Sequence, residues 1–195
     1  MQLSKTIITI LNIPRLLLHL LAYYFKESII KEDVKANLKH AQLNYSCTFG
    51  FLYLLVFNIE FRNLFYWRIG KLKYIMWYWL WPHPCFTLAK KMDIGAGMVC
   101  IHPFATIVNA ESIGINFTVR NNVTIGNNAR GDRPTIGNNV TVNANSVVVG
   151  RIHIGDNTTI GAGAVVTKSV PNNCVVVGNP AYILKENGIT VKREL

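Results

Sequence analysis

Acidic side chains are scarce in this sequence. Ten Asp and Glu stand against twenty Lys and Arg in 195 residues, giving a formal charge of +10 at pH 7. Such a balance disfavours cationic partners and suits nucleic acid, an anionic membrane surface, or an acidic substrate or cofactor. Cysteines are few: Cys47, Cys85, Cys100 and Cys174, with no pair at CxxC or other metal-ligand spacing. That excludes a cysteine-built zinc centre and reads as four reduced thiols of a cytosolic protein. A long uninterrupted apolar run near the N-terminus is also missing. TIITILNIPRLLLHLLAYYF (6–25) is apolar but interrupted by Asn12, Pro14, Arg15 and His19, and no small-residue cleavage site follows it. Neither a secretion signal nor a spanning segment is therefore expected.

Apolar residues are abundant. They make up 50% of the chain, and the mean hydropathy of +0.24 is high for a soluble enzyme. The length suits one ordinary domain with an accessory segment. Residues 1–90 carry eleven Lys/Arg against four Asp/Glu, and residues 91–195 nine against six, so the positive excess belongs mainly to the first half.

The second half is a repeat. From Ile113 a step of six meets Val119 and Ile125; past a five-residue insertion (131–135) it meets Ile136, Val142, Val148, Ile154, Ile160 and Val166. All nine are β-branched, and Gly follows five of them, at 114, 126, 137, 155 and 161. This is the pattern of a hexapeptide parallel β-helix. Three hexads make one triangular coil, with Ile and Val pointing inward and Gly or Asn at corners where φ is positive. Three columns follow: Ile113, Ile136, Ile154; Val119, Val142, Ile160; and Ile125, Val148, Val166. Upstream, Ile94, Cys100 and Thr106 are expected to extend them, which makes Cys100 a core residue. The Gly-x-Gly at 95–97 and 161–163 are corners, since no βαβ unit follows. Four of the five N-x-[ST] sequons (Asn116, Asn122, Asn139, Asn157; the fifth is Asn44) fall in the repeat, where they read as turn residues.

The first half lacks this period. Residues 29–44 predict a short polar-faced helix. Residues 49–61, FGFLYLLVFNIEF, are an apolar run too short to span a bilayer. FRNLFYWRIGKLKYIMWYWLW (61–81) holds nine aromatics, four Lys/Arg and no acid. Rings interleaved with cations suit a membrane interface. The same mixture could stack on single-stranded nucleic acid or pack as a helical cap. Peripheral membrane contact through 1–81 is the expectation, with no nucleic-acid partner. WPHP (81–84) ends the helical part. The domains expected are 1–86, helical; 87–185, the β-helix; and 186–195, a C-terminal tail.

One histidine stands out, His102 in VCIHPFATIVNA (99–110). A lone His among β-formers is by default a packed structural residue. Counted from Cys100, however, it takes the third position of its hexad, in line with Asn121, Ala144 and Ala162 of later coils. At a coil spacing of about 4.8 Å, a histidine, an amide and two small residues line one edge. A thin, amide-containing ligand such as the pantetheine arm of coenzyme A could lie there, its reactive end at His102. The imidazole would take the proton of an acceptor hydroxyl attacking a thioester. The loop NNARGDRP (127–134) carries Arg130, Asp132 and Arg133 out of the coil, toward a substrate or a neighbouring subunit. Glu60, Glu111 and Asp132 are candidates to orient the imidazole. Substrate contacts are expected from Arg133, Asn121 and Glu60. A metal centre would need His83, His102 and His153 to converge; they share no column position, so none is expected.

Residues 85–185 resemble the hexapeptide-repeat acyltransferases, left-handed β-helix enzymes that use acetyl-CoA. MDIGAGMVCIH, NNVTIG, GDRPTIG and TIGAGAVVTKSVPNNCVVVGNPAYIL are similar to the serine acetyltransferase branch. FRNLFYWRIG with I-H-P-F-x-x-I-V-N looks closest to small O-acetyltransferases of capsule and exopolysaccharide clusters. The resemblance implies a mainly β fold, a left-handed parallel β-helix preceded by an apolar helical segment. It implies that His102 is the catalytic base, that Ala144, Ala162, Thr167, Lys168 and Lys185 contact coenzyme A, and that the protein is a homotrimer with sites shared between subunits. It departs from serine acetyltransferases in three places. Ile101 stands where they have an Asp before the His, GDRP lacks the His of their G-D-R-H-P, and Thr87 falls where an Asp orients the base. The expectation is therefore an O-acetyltransferase acting on a sugar hydroxyl of a surface polysaccharide, in the cytoplasm at the inner membrane face. The alternatives are serine O-acetyltransfer and a non-catalytic structural β-helix.

Overall fold

The Ile and Val at a step of six are buried in three stacked columns, because a branched side chain on a short parallel strand fills the prism and meets its counterpart one coil away. The structure, a computed structural model, describes residues 2–76, 80–82, 84–128 and 130–195. The chain divides into two compact units, Met1–Pro84 and Cys85–Leu195.

In the second unit, two- to four-residue parallel strands form three sheets, one per face of the solenoid. Ile94, Ile113, Ile136 and Ile154 stand in register on one face. Cys100, Val119, Val142, Ile160 and Val176 do so on the second, so Cys100 is a buried core residue. The third column is Leu88, Val108, Ile125, Val148 and Val166. Val108, not Thr106, is therefore the partner of Ile125. The corner after Cys100 is longer than the others, which shifts the count.

The corners explain the Gly and Asn. After the Ile column come Gly95, Gly114, Gly137 and Gly155, backbone stacked on backbone. A Cβ on Gly114 would lie 2.7 Å from the Gly137 backbone. At a second corner Asn116, Asn139, Asn157 and Asn173 hold left-handed φ of 57°, 55°, 55° and 58°. Each side-chain amide donates to the Oδ1 of the next at 2.9 Å. A third corner repeats this with Asn122 donating to Asn145. The last parallel strand, Cys174–Val177, continues into an antiparallel ribbon, Tyr182–Glu186 and Ile189–Glu194. Most of the segment set apart from sequence as a tail is thus an exposed outer strand.

The first unit is helical: α1 Gln2–Asn12, α2 Leu17–Phe25, α3 Glu27–His40, α4 Cys47–Phe57, α5 Ile59–Ile69 and the short α6 Lys73–Met76. A 3-10 turn, Ile13–Leu16, holds Pro14 and joins α1 to α2 without ending the helical run. Ser46 caps α4 by accepting from Phe49 N–H. Asn58 divides the apolar run 49–61, its Oδ1 accepting from Phe61 N–H at 2.6 Å to start α5. Gly70, at φ +60°, ends α5. Tyr23, Ile30, Phe51, Leu55, Phe61 and Phe65 lie in one core. Within the unit, Arg68 and Asp33 form a buried two-pronged ion pair, Nε–Oδ2 2.9 Å and Nη2–Oδ1 3.2 Å. Buried charges persist when paired this way. His19 is 1% exposed. Its Nε2 meets the Tyr66 hydroxyl at 3.3 Å, while its Nδ1 has no partner. Burial pushes its pKa down to about 4 and that of the Tyr66 phenol up to about 12. The aromatic residues at 77–79 and His83 lie outside the described residues.

Candidate active site

The corner that carries His102 is built differently from those below it. The ladder runs normally to Ile101, whose N–H donates to Val119 O at 2.8 Å. From Cys100 to the next column residue, Val108, is a step of eight, where Val119 to Ile125 and Val142 to Val148 are steps of six. The two extra residues form a tight turn across the buried Pro103, closed by Phe104 N–H donating to His102 O at 2.7 Å. The ladder then resumes. Asn122 N–H donates to Phe104 O, Asn145 N–H to Asn121 O, and Gly163 N–H to Ala144 O, at 2.8, 3.1 and 2.9 Å. The donors and Ala105 share left-handed φ: 52° at Ala105, 53° at Asn122, 62° at Asn145, 71° at Gly163.

These bonds correct the register expected from sequence. The residue above Asn121, Ala144 and Ala162 is Phe104, and His102 stands on the raised turn just before it. The turn is pinned by Thr106, 1% exposed, whose hydroxyl donates to Arg120 O at 3.0 Å and accepts from Val123 N–H at 3.3 Å. His102 is exposed and lies at φ +47°. Among the described residues of the coils, Asn and Gly take every other left-handed φ save those of His102 and Ala105. Exposed Phe104 and Ile107 flank the turn. Such departures from relaxed backbone collect at functional sites. Thr87 is in register with Ile107, not with this corner.

The insertion is laced internally. Asn128 Oδ1 accepts from Arg130 N–H at 2.9 Å and Asp132 N–H at 3.2 Å, and its Nδ2 donates to Asp132 Oδ2 at 3.3 Å. Arg133 reaches back over two coils, its Nη2 meeting the Glu111 carboxylate and its Nη1 donating to Lys91 O at 2.7 Å. Glu111, Asp132 and Arg133 thereby share a cleft of about 670 Å³ with Arg151, His153 and Ser169. His102 does not line it.

A second cleft, of about 490 Å³, is lined by Thr167, Lys168, Pro180, Tyr182 and Lys192 among others. Lys168 Nζ donates to Leu195 O there at 2.6 Å. Ala144 is half-buried and Ala162 exposed along the Phe104–Asn121 edge. Lys185 is exposed on the antiparallel ribbon, opposite Val175 and Thr190, and does not line this cleft. Glu60 sits in the first turn of α5 in the helical unit. Among the described residues no three His, Cys, Asp or Glu gather where a metal could bind; His153 Nδ1 meets the Thr135 hydroxyl at 3.0 Å. Sequence reasoning passed over Phe104 and gave Thr106 a column place instead of its role in the turn. Counting back six from Ile113 lands on exposed Ile107, so the regular step reaches Val108 from neither side.

Residues 133–168 match the family described as "Bacterial transferase hexapeptide (six repeats)". Over 101 residues, 50% of this chain and 62% of the relative, the sequence is 42% identical to the putative colanic acid biosynthesis acetyltransferase WcaB of Escherichia coli K12. Over 112 residues, 56% of this chain and 50% of the relative, it is 39% identical to serine acetyltransferase of Staphylococcus aureus. The chain thus spans about half to three-fifths of the length of these curated relatives. In fold it is similar to serine acetyltransferase from Brucella abortus solved in complex with coenzyme A. That likeness has a TM-score of 0.69 and 24% identity over 88% of this chain and 72% of the other. The chain therefore resembles hexapeptide-repeat acetyltransferases, and the expected fold class, a β-helix preceded by helices, is the one observed.

Proposed function

We propose that this chain is an acetyl-CoA-dependent O-acetyltransferase whose acceptor is a sugar hydroxyl of a surface polysaccharide. The observation that carries it is the raised His102 corner at the head of the edge formed by Phe104, Asn121, Ala144 and Ala162. The neutral imidazole takes the proton of the acceptor hydroxyl as its oxygen attacks the thioester carbonyl. The tetrahedral intermediate collapses, the C–S bond breaks, and the imidazolium returns the proton to the thiolate of coenzyme A. Thr167 and Lys168 would hold the coenzyme through their cleft, and Lys185 its outer phosphates.

We infer a homotrimer from the resemblance to hexapeptide-repeat acyltransferases. In one chain His102 lines neither the Arg133 cleft nor the Thr167–Lys168 cleft, and a neighbouring subunit would supply the missing walls. Arg133, Asn121 and Glu60 are the proposed acceptor contacts. For Arg133 this requires that it leave Glu111 or act together with it. The colanic acid relative supports a saccharide acceptor. Ile101 and the His-free GDRP loop argue against serine. The serine reading keeps two supports, the retained Arg133 and the similarity to the staphylococcal enzyme. Location is proposed as the cytoplasm, with peripheral contact between residues 1–81 and the inner membrane face.

Thiol release from acetyl-CoA, measured with L-serine and with a panel of monosaccharides and oligosaccharides, tests the acceptor. The expectation is turnover with at least one saccharide well above that with serine. Serine turnover equal to the best sugar overturns the acceptor class.

A further inference from the structure

The helical run from Gln2 to Phe25 turns a mixed face inward, Leu16, Ala22 and Tyr23 together with polar side chains. Thr9 and His19 are buried, Thr6 Oγ1 meets the Tyr45 hydroxyl at 3.3 Å, and His19 meets Tyr66. Most of its remaining large apolar residues are exposed. Leu3, Ile7, Ile10, Leu17, Leu21 and Tyr24 recur at intervals of three, four and seven, and each is at least half exposed. Leu11, Leu18 and Phe25 widen the stripe, with Leu11 72% and Phe25 85% exposed. The unit's core is complete without them. A water-facing helix turns polar residues to solvent at these outward positions, and a contiguous exposed stripe of this size marks an interaction surface.

We propose that the outward face of α1 and α2 lies in the plane of an anionic lipid surface, with its leucines and isoleucines at the boundary of headgroups and acyl chains. This rests on the peripheral membrane contact proposed above and assigns it to one face. Charge selects lipid over protein. The first 26 residues hold Lys5, Arg15 and Lys26 and no Asp or Glu. A second copy docking on this stripe would bring the same cations and no carboxylate to meet them, whereas anionic headgroups neutralise all three. Geometry selects lying over spanning. The 24-residue run is long and apolar enough to cross a membrane, with a mean hydropathy of 1.5 in its most apolar 18-residue window, of which 28% is buried. Yet Arg15 sits at its middle, and its inner face is committed to the unit through Thr6, Thr9 and His19. Lipid can therefore cover only one side.

The test is co-sedimentation of the full chain with phosphatidylcholine vesicles and with vesicles that also contain phosphatidylglycerol. Two variants accompany the wild type: Leu11→Gln/Leu18→Gln/Leu21→Gln, which dulls the stripe, and Arg15→Glu/Lys26→Glu, which reverses its charge. Wild type is expected to bind the anionic vesicles, and the apolar triple variant to bind at least about tenfold more weakly. The charge variant should lose the preference for anionic lipid. Helicity, oligomeric mass and thiol release with a soluble acceptor should be unchanged. If the triple variant loses helicity, the charge variant decides. Triple-variant binding equal to wild type overturns the assignment and moves the contact to 71–75, where Leu72, Tyr74 and Ile75 are exposed beside Lys71 and Lys73, leaving membrane contact itself standing. Wild type that binds no vesicle overturns both. A changed oligomeric mass with unchanged vesicle binding overturns it in favour of a second copy.

Discussion

At the residue scale two positions matter for opposite reasons. Ala105 is held at φ +52°, where the corresponding coils have Asn or Gly. An L-residue in the left-handed region is strained, and Gly relieves that strain while adding entropy to the unfolded chain. The balance predicts that Ala105→Gly stabilises by about 0.5–1 kcal/mol, read as a higher urea midpoint. A lower midpoint would mean that the Ala methyl is packed rather than strained. His19 works through protonation. Its folded pKa, lowered to about 4 by burial, lies below the unfolded value of about 6.5. The unfolded chain therefore binds the proton first as pH falls. Stability is complete above the unfolded pKa and declines between it and about 4, by up to about 1.4 kcal/mol per pH unit. Urea midpoints compared between neutral and mildly acid buffer should fall for wild type and much less for His19→Gln.

At the scale of the elements, legibility followed the physics of each piece. The coils were readable because inward β-branched residues recur at a fixed step, and nothing else produces that run. The same step misplaced the one irregular corner. Counting forward from Cys100 put Thr106 in the column and His102 above Asn121. Hydrogen bonds from Asn122 and across Pro103 show two extra residues there, with Val108 in the column and Phe104 on the edge. Composition announces no insertion when the inserted residues are themselves apolar or aromatic. The stripe on α1 and α2 was hidden for a related reason: periodicity shows that a helix has two faces but does not say which one points inward. The glycine corner offers a paired test. Gly114→Ala would place a Cβ 2.7 Å from the Gly137 backbone, whereas one on Gly126 meets nothing within 4 Å. Gly114→Ala should cost about 1–3 kcal/mol and Gly126→Ala almost nothing, both measured by thermal unfolding. Equal costs would contradict backbone-on-backbone stacking at that corner.

At the scale of the whole molecule, a regular prism supplies a rigid edge and an irregular corner supplies a histidine. The helical unit carries an outward apolar face and most of the net charge. The sequence-derived list of contact residues falls on different parts of this frame: Asn121, Ala144 and Ala162 on the edge, Arg133 on a braced loop, Thr167 and Lys168 in a separate cleft. A subunit interface is the arrangement that would make one site of them. The central claim is that the His102 imidazole is the base of acyl transfer. Its most direct test is His102→Asn, because Asn tolerates the left-handed φ that the corner requires while removing the imidazole. In an assay of acetyl transfer from acetyl-CoA to the best acceptor, the account predicts a fall in kcat of about 10²–10⁴-fold, with the thermal midpoint and acetyl-CoA affinity retained. A variant that stays within about threefold of wild-type kcat, too little for a lost general base, would contradict it.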